Sequence, residues 1–255
     1  MIEAQNLSVA YENRLILRDI NLRFAANSVT ALVGPNGCGK STLLKTLAGL
    51  HKPQSGQVLL QGHPLQALKR KAIAQKIAYM AQAPQAPEGL TVRQLVEHGA
   101  FARRRLFKRQ DHEEVNELLA ACGLSPLAER PFAEMSGGEQ QRAWIAMCLL
   151  QKASFLLLDE PTSSLDLGYQ INILRLVEKL RKTQHFGVIM VLHDINQASH
   201  FADRIVALKD GSVVSEGAPH EVISSSLIQT LYDAEVTVQT HPKTASITCV
   251  PNYAG

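Results

Sequence analysis

Apolar and polar positions alternate over the first thirty residues. Ile2, Leu7, Val9 and Tyr11 are separated by polar neighbours, Asn13-Arg14 reads as a turn, and Ile16, Leu17, Ile20, Leu22 and Phe24 follow. A period of two predicts a half-buried antiparallel β region. Val29–Val33 is a short β-branched, apolar strand that runs straight into Gly34-Pro35-Asn36-Gly37, a sequence that predicts a loop. From Ser41 onward Leu43, Leu44, Leu47 and Leu50 fall at helical spacing, bounded by Gly49 and Pro53. The order is therefore strand, glycine-rich loop, helix. Residues 56–60 and Ile77–Met80 read as further strands.

Between about 91 and 150 the period changes. Val92, Leu95 and Val96, then Val115, Leu118 and Leu119, have helical spacing, which predicts an inserted helical sub-domain. Phe155–Leu158 and residues 188–192 and 205–208 are short continuous apolar runs suited to buried strands, separated by helical segments at 168–182 and 195–202. That alternation predicts an α/β fold with a mostly parallel sheet. Asp210-Gly211 is a hairpin signal, and the tail has strand-like pieces at 236–239 and 247–250. The expected organisation is one domain, 1–255. Its catalytic core is 1–90 with 151–235, its helical sub-domain about 91–150, and its short β-rich tail about 236–255.

Composition narrows the class. The chain has 255 residues, enough for a sizeable core. Its formal net charge of +3 is too weak a bias to argue for nucleic acid as a partner. Met1-Ile2-Glu3-Ala4-Gln5-Asn6 lacks the basic and apolar regions of a signal peptide, and no run is long enough for a membrane span. Cys38, Cys122, Cys148 and Cys249 lie too far apart for a metal site and read as reduced thiols.

Two stretches carry chemistry. Gly34-Pro35-Asn36-Gly37-Cys38-Gly39-Lys40-Ser41 matches G-x-x-x-x-G-K-[ST] without departure, between a strand and a helix. Glycines let backbone N–H groups wrap a polyphosphate, and the following helix aims its dipole at the same anion. Lys40 places a charge on the β- and γ-phosphates, and the Ser41 hydroxyl is a magnesium ligand. The motif thus predicts a P-loop that takes MgATP. Cys38 lies among those amides beside Lys40, an environment expected to favour its thiolate; a thiol reagent is expected to block ATP there. The second stretch, Phe155-Leu156-Leu157-Leu158-Asp159-Glu160-Pro161, is an apolar strand that ends in two acids. A buried strand needs no carboxylates, so they predict a charged site at the sheet's rim. Asp159 is expected to hold magnesium and Glu160 to polarise the attacking water as general base.

Between them lies Met135-Ser136-Gly137-Gly138-Glu139-Gln140-Gln141-Arg142. With this stretch, nearly the whole chain resembles the nucleotide-binding subunit of ATP-binding-cassette (ABC) transporters. The family signature is usually Leu-Ser-Gly-Gly-Gln; here Met and Glu stand at its two ends, and Glu139 adds a negative charge near a phosphate site. The resemblance implies that Ser136, Gly137 and Gly138 cap the γ-phosphate bound to a second copy, so that the active form is a head-to-tail homodimer. It implies that Tyr11 stacks on adenine, that Gln82 touches magnesium and senses the transporter, and that His193, next to Asp194, contacts the γ-phosphate. Ser163-Ser164-Leu165-Asp166 would signal across the dimer. Tyr11 read alone fits a strand-packing tyrosine as well, and His193 a structural histidine. The nucleotide set is then Tyr11, Gly34, Pro35, Asn36, Gly37, Cys38, Gly39, Lys40, Ser41, Thr42, Ser136, Gly137, Gly138 and Asp166. Glu160, His193 and Gln82 are the catalytic set, and Ser41, Gln82 and Asp159 the metal set.

Four stretches are most similar to ATPases of iron-chelate and cobalamin importers: 87–92, 141–147, 192–198 and 216–219. The short tail after Val236 fits them too. The resemblance implies uptake of a ferric siderophore through a membrane permease, with the chain peripheral on the cytoplasmic face of the inner membrane and a periplasmic or lipoprotein binding protein as an indirect partner. Cobalamin or haem import, or a non-transport iron–sulfur assembly ATPase, stands as the alternative. Arg103-Arg104-Arg105 with Lys108 and Arg109 reads equally as a solvated basic loop or as a surface near lipid headgroups or the permease.

Overall fold

A computed structural model of the chain describes residues 1–12, 14–103, 112–163 and 165–253. Asn13, Ser164, Arg104, Arg105, Lys108 and Arg109, named above, lie outside the described residues. In chain order the elements are β1 (Ile2–Tyr11), β2 (Arg14–Phe24), β3 (Val29–Val33), α1 (Lys40–Leu47), β4 (Ser55–Leu60), β5 (His63–Pro64), α2 (Arg70–Ala74), β6 (Ile77–Met80), α3 (Val92–Glu97), α4 (His112–Ala121), α5 (Gly137–Leu150), β7 (Phe155–Leu158), α6 (Leu167–Gln184), β8 (Gly187–Val191), α7 (Ile195–Phe201), β9 (Arg204–Lys209), β10 (Ser212–Gly217), α8 (Pro219–Val222), α9 (Ser225–Tyr232), β11 (Val236–Thr240) and β12 (Ile247–Pro251). They form two compact units, Met1–Leu68 with Gly187–Gly255, and Lys69–Phe186.

The first unit holds an antiparallel sheet in the order β2-β1-β4-β5. Its alternation changes phase twice. On β1, Ile2 and Ala4 face the core and then Leu7 and Val9 do; on β2, Leu17 does and then Ile20, Leu22 and Phe24. Asn6 (φ 47°) and Asp19 (φ 45°) stand at those breaks in left-handed backbone, and the register of the two strands shifts there. One extra residue flips the side chains that follow to the other face, which keeps both halves of each strand apolar inward. In the same unit β3 is buried at all five positions, so both faces of the sheet are covered there. It pairs in parallel with β8 and with β9, and β10 returns antiparallel along β9 through Asp210-Gly211, both with positive φ.

The second unit holds the parallel pair β6 and β7, in register from Ile77↔Phe155 to Met80↔Leu158. Between Val92 and Leu150 its described elements are helical. Thr91 opens α3 with a capping box completed by Gln94. Helix α5 buries Ala143, Trp144, Ile145, Ala146, Cys148, Leu149 and Leu150, so it is a core helix rather than a one-sided surface one. Trp144 meets the ring of Phe132 edge-on at 5.6 Å. Helix α6 buries Ile173, Leu174, Val177 and Leu180 along one stripe. At the rim Arg103 pairs with Glu114 at 3.0 Å.

The tail pairs β11 with β12 in an antiparallel hairpin. It is tied to α7 by two bonds: Cys249 N–H donates to Asn196 Oδ1 (2.7 Å), and Asn196 Nδ2 donates to the Cys249 carbonyl (3.2 Å). Elements β5, α2, α8 and α9 have no counterpart in the sequence reading. Helix α8 is a single turn begun by Pro219. Helix α9 starts inside Ser224-Ser225-Ser226, residues that favour turns, and is helical because Leu227, Ile228 and Leu231 bury one face.

Candidate active site

In the first unit, residues 34–39 leave β3 and enter α1 with left-handed backbone at Gly34 (φ 142°), Gly37 (φ 76°) and Gly39 (φ 106°). A Cβ on Gly34 would meet the Leu208 carbonyl oxygen at 2.0 Å, so that position admits only glycine. Lys40 is 5% exposed. Its ammonium donates to the carbonyls of Gly34 and Pro35, 2.8 Å each, folding the loop around its own cation. Ser41 and Thr42, in the first turn of α1, are part-exposed. His193 leaves the end of β8, and Asp194 caps α7 by accepting from Asn196 N–H (2.7 Å) and Gln197 N–H (3.2 Å). The cap turns the chain so that His193 lines one cavity of about 410 Å³ together with Gly34, Pro35 and Asn36. Tyr11, at the end of β1, is 41% exposed. It packs edge-on against His51 (centroids 5.0 Å apart) and its hydroxyl is hydrogen-bonded to His51 Nε2.

Cys38 corrects one expectation. Burial raises its thiol pKa, and the Lys40 ammonium, which acts the other way, does not outweigh it. At 5% exposed this is a protonated core thiol, not an activated thiolate. The sequence shows the cation but not the desolvation. Burial also pushes Cys122 and Cys148 up to about 12; all four cysteines are free and buried.

In the second unit, β7 delivers two carboxylates into different settings. Asp159 is 2% exposed. Its N–H continues the ladder to the Met80 carbonyl (3.0 Å), and its Oδ2 accepts from Tyr79 Oη (3.1 Å). Glu160 has left-handed backbone (φ 52°), and Ser163 closes that turn by donating N–H (3.2 Å) and Oγ–H (3.0 Å) to the Glu160 carbonyl. The turn sends the Glu160 side chain to Gln82, just past β6, whose Nε2 donates to Glu160 Oε2 at 2.5 Å. So Gln82 and Glu160, 78 residues apart, are neighbours. No motif or spacing singles out Tyr79, the neighbour of Asp159. Among the described residues no group of three His, Cys, Asp or Glu forms a metal cage. The buried Asp159 carboxylate and the Gln82 amide of this unit, and separately the Ser41 hydroxyl of the first, are each hard oxygen donors of the kind that suits magnesium.

Ser136 stands at the start of α5. Its N–H (2.9 Å) and its Oγ–H (2.7 Å) both donate to Glu139 Oε2. These bonds hold the Glu139 carboxyl below the usual carboxylate range. The signature's acid therefore serves the helix start. Gly138 passes under Tyr169, whose ring carbon would lie 2.4 Å from an added Cβ. Asp166 caps α6 by accepting from Tyr169 N–H (3.0 Å).

The family described as ABC transporter matches residues 17–163, from β2 through the phosphate loop to the turn after Glu160. The chain belongs to the ABC transporter family. This ABC protein binds ATP and is an ATPase of α/β fold. It is 41% identical to a petrobactin import ATP-binding protein of Bacillus anthracis, over all of this chain and 94% of that one. It is 38% identical to an iron(3+)-hydroxamate import ATP-binding protein of Bacillus subtilis strain 168, over 98% and 94%. Among solved structures, an inward-facing ABC transporter assigned to the metal-chelate type superposes with a TM-score of 0.85 at 27% identity, covering 99% of this chain and 97% of that one. An ATP-binding cassette solved as a dimer in a post-hydrolysis state with ADP and Pi superposes with a TM-score of 0.77 at 30% identity, over 86% and 99%. Among the described residues of this ABC protein, no helix is long and apolar enough to cross a membrane.

Proposed function

We propose that this chain is the ATP-hydrolysing subunit of an importer for a ferric siderophore, peripheral on the cytoplasmic face of the inner membrane. Residues 34–42 form the cradle of the polyphosphate, through the amides that follow Pro35, and Lys40 neutralises the β- and γ-phosphates. Ser41, Asp159 and Gln82 serve the magnesium that accompanies the nucleotide. Glu160 takes a proton from water as its oxygen attacks the γ-phosphorus; the bond to the β–γ bridging oxygen breaks and ADP leaves. His193 contacts the γ-phosphate and Tyr11 stacks on adenine. Ser136, Gly137 and Gly138 of one protomer cap the nucleotide held by a second copy, with Asp166 at the seam of a head-to-tail homodimer. Closing and reopening of that dimer drives a membrane permease, which receives cargo from a periplasmic or lipoprotein binding protein.

The observation that carries the cargo is full-length similarity to proteins named for petrobactin and iron(3+)-hydroxamate import. Glu160 at the end of β7 supports turnover rather than binding alone. The test is uptake of ⁵⁵Fe-labelled chelates by cells whose copy of this chain carries Glu160→Gln, with pull-down of the wild-type chain from detergent-solubilised membranes. Loss of iron-chelate uptake and a co-eluting polytopic permease are expected. Intact iron uptake with lost haem or cobalamin uptake would reassign the cargo, and soluble partners only would remove the importer reading.

A further inference from the structure

The phosphate loop is held from a place that its own sequence does not reveal. Tyr232, the last residue of α9, accepts a hydrogen bond from Gly34 N–H at 3.1 Å, across 198 residues of chain. Its ring lines the same cavity as Gly34, Pro35, Asn36 and His193. Burial raises the Tyr232 pKa, so the hydroxyl stays neutral there.

Helix α9 is firmly placed. Leu227, Ile228 and Leu231 are buried. Ser224 Oγ caps its start by accepting from Leu227 N–H (3.1 Å), and Lys209, at the end of β9, donates to the Thr230 carbonyl in its last turn. Ser225 Oγ–H ties it to the Val236 carbonyl of the tail (2.9 Å). Asp233 ends it in left-handed backbone (φ 53°), fixing where the Tyr232 ring leaves.

The Gly34 peptide is thus gripped at both ends, its N–H by Tyr232 and its carbonyl by Lys40. The two grips differ in one respect. An ammonium has three donors, and Lys40 spends two on the carbonyls of Gly34 and Pro35 and turns the third to Cys38 Sγ at 3.8 Å. To bridge two phosphates it must release at least one of those carbonyls. The grip from Tyr232 involves no group that the phosphates need.

We infer that Tyr232 is a positioning residue for nucleotide binding: α9 uses its hydroxyl to keep the mouth of the phosphate loop in place while Lys40 turns from the loop's carbonyls to the phosphates of ATP. This rests on the assignment of residues 34–42 to the nucleotide. It brings Tyr232, which lies outside the span matched to the family, into the binding machinery. Removing the hydroxyl leaves Gly34 N–H without its acceptor and the loop mouth free to relax, which weakens ATP binding more than it slows the chemical step.

The experiment compares ATP binding and steady-state turnover by the purified full chain in four forms: wild type, Tyr232→Phe, Ser225→Ala and Lys40→Ala. Tyr232→Phe keeps the ring, and Ser225→Ala removes a bond at the start of α9, the end away from Tyr232, without touching the loop. The expected result is a Kd and KM for ATP raised about three- to tenfold in Tyr232→Phe, the equivalent of one lost hydrogen bond, with kcat within twofold and the melting temperature near wild type. Ser225→Ala is expected to bind ATP like the wild type. A Tyr232→Phe chain that binds ATP within twofold of wild type, while Lys40→Ala has lost affinity, overturns the inference and leaves the site assignment standing. So does equal weakening in Ser225→Ala, which would make the effect one of general packing. Undiminished binding by Lys40→Ala would remove the site assignment and the inference with it.

Discussion

Lys40 has an ammonium inside the protein because the loop supplies two carbonyls 2.8 Å away, and a buried cation needs such partners. The same placement lets it serve a polyanion. Lys40→Ala is expected to weaken ATP binding by about 3 kcal/mol, on the order of a hundredfold in Kd at equilibrium; near-normal affinity would put the phosphates elsewhere. Cys38 lies two residues away and behaves differently, because burial governs its thiol. Its pKa is above the ordinary 9.0, so the neutral form dominates throughout the physiological range. Maleimide labelling of the folded chain is therefore expected to be slow at pH 7, to keep rising beyond pH 9, and to accelerate on unfolding. Rapid labelling at pH 7, traced to Cys38 by peptide mapping, would restore the thiolate reading. Asp194 shows how a neighbour in sequence takes a role of its own: it caps α7 while His193 faces the cavity beside Asn36.

At the scale of elements, glycine and acid placement at two helix starts explains the signature segment. Gly138 is a glycine because Tyr169 of α6 lies across it, so Gly138→Ala must push an aromatic ring aside. A loss of about 1–3 kcal/mol is expected, the usual cost of overpacking, read as a lower midpoint in urea with an unchanged slope. An unshifted midpoint would mean that α5 and α6 do not meet there as described. The elements also show what was legible. Phe155–Leu158 read as a buried strand because all four positions are apolar and all four are buried. The phosphate loop read clearly because its chemistry is local, eight consecutive residues between a strand and a helix. Helix α9 did not, because three serines at its start outweigh three buried apolar residues in any local reading. The phase changes at Asn6 and Asp19 lay hidden in a stretch that read as one alternating region, and only the paired strands reveal them as bulges.

For the whole molecule, the contacts hidden from the sequence are those made across long stretches of chain. Tyr79 with Asp159, Gln82 with Glu160, and Tyr232 with Gly34 join residues 80, 78 and 198 positions apart. No periodicity encodes such pairs; the fold brings them together. Motif order still carried the family, because the phosphate loop, the Ser136-Gly137-Gly138 stretch and the Asp159-Glu160 pair all lie within residues 17–163, the part matched to ABC transporters. The central claim is that Glu160 is the base of an ATPase, and the most direct measurement is turnover by Glu160→Gln with ATP binding followed in parallel. The account predicts ATP affinity within about threefold of wild type and turnover lowered by at least about a hundredfold, the contribution of a positioned base, with a dimer accumulating in the presence of ATP. Wild-type turnover by that variant would contradict it.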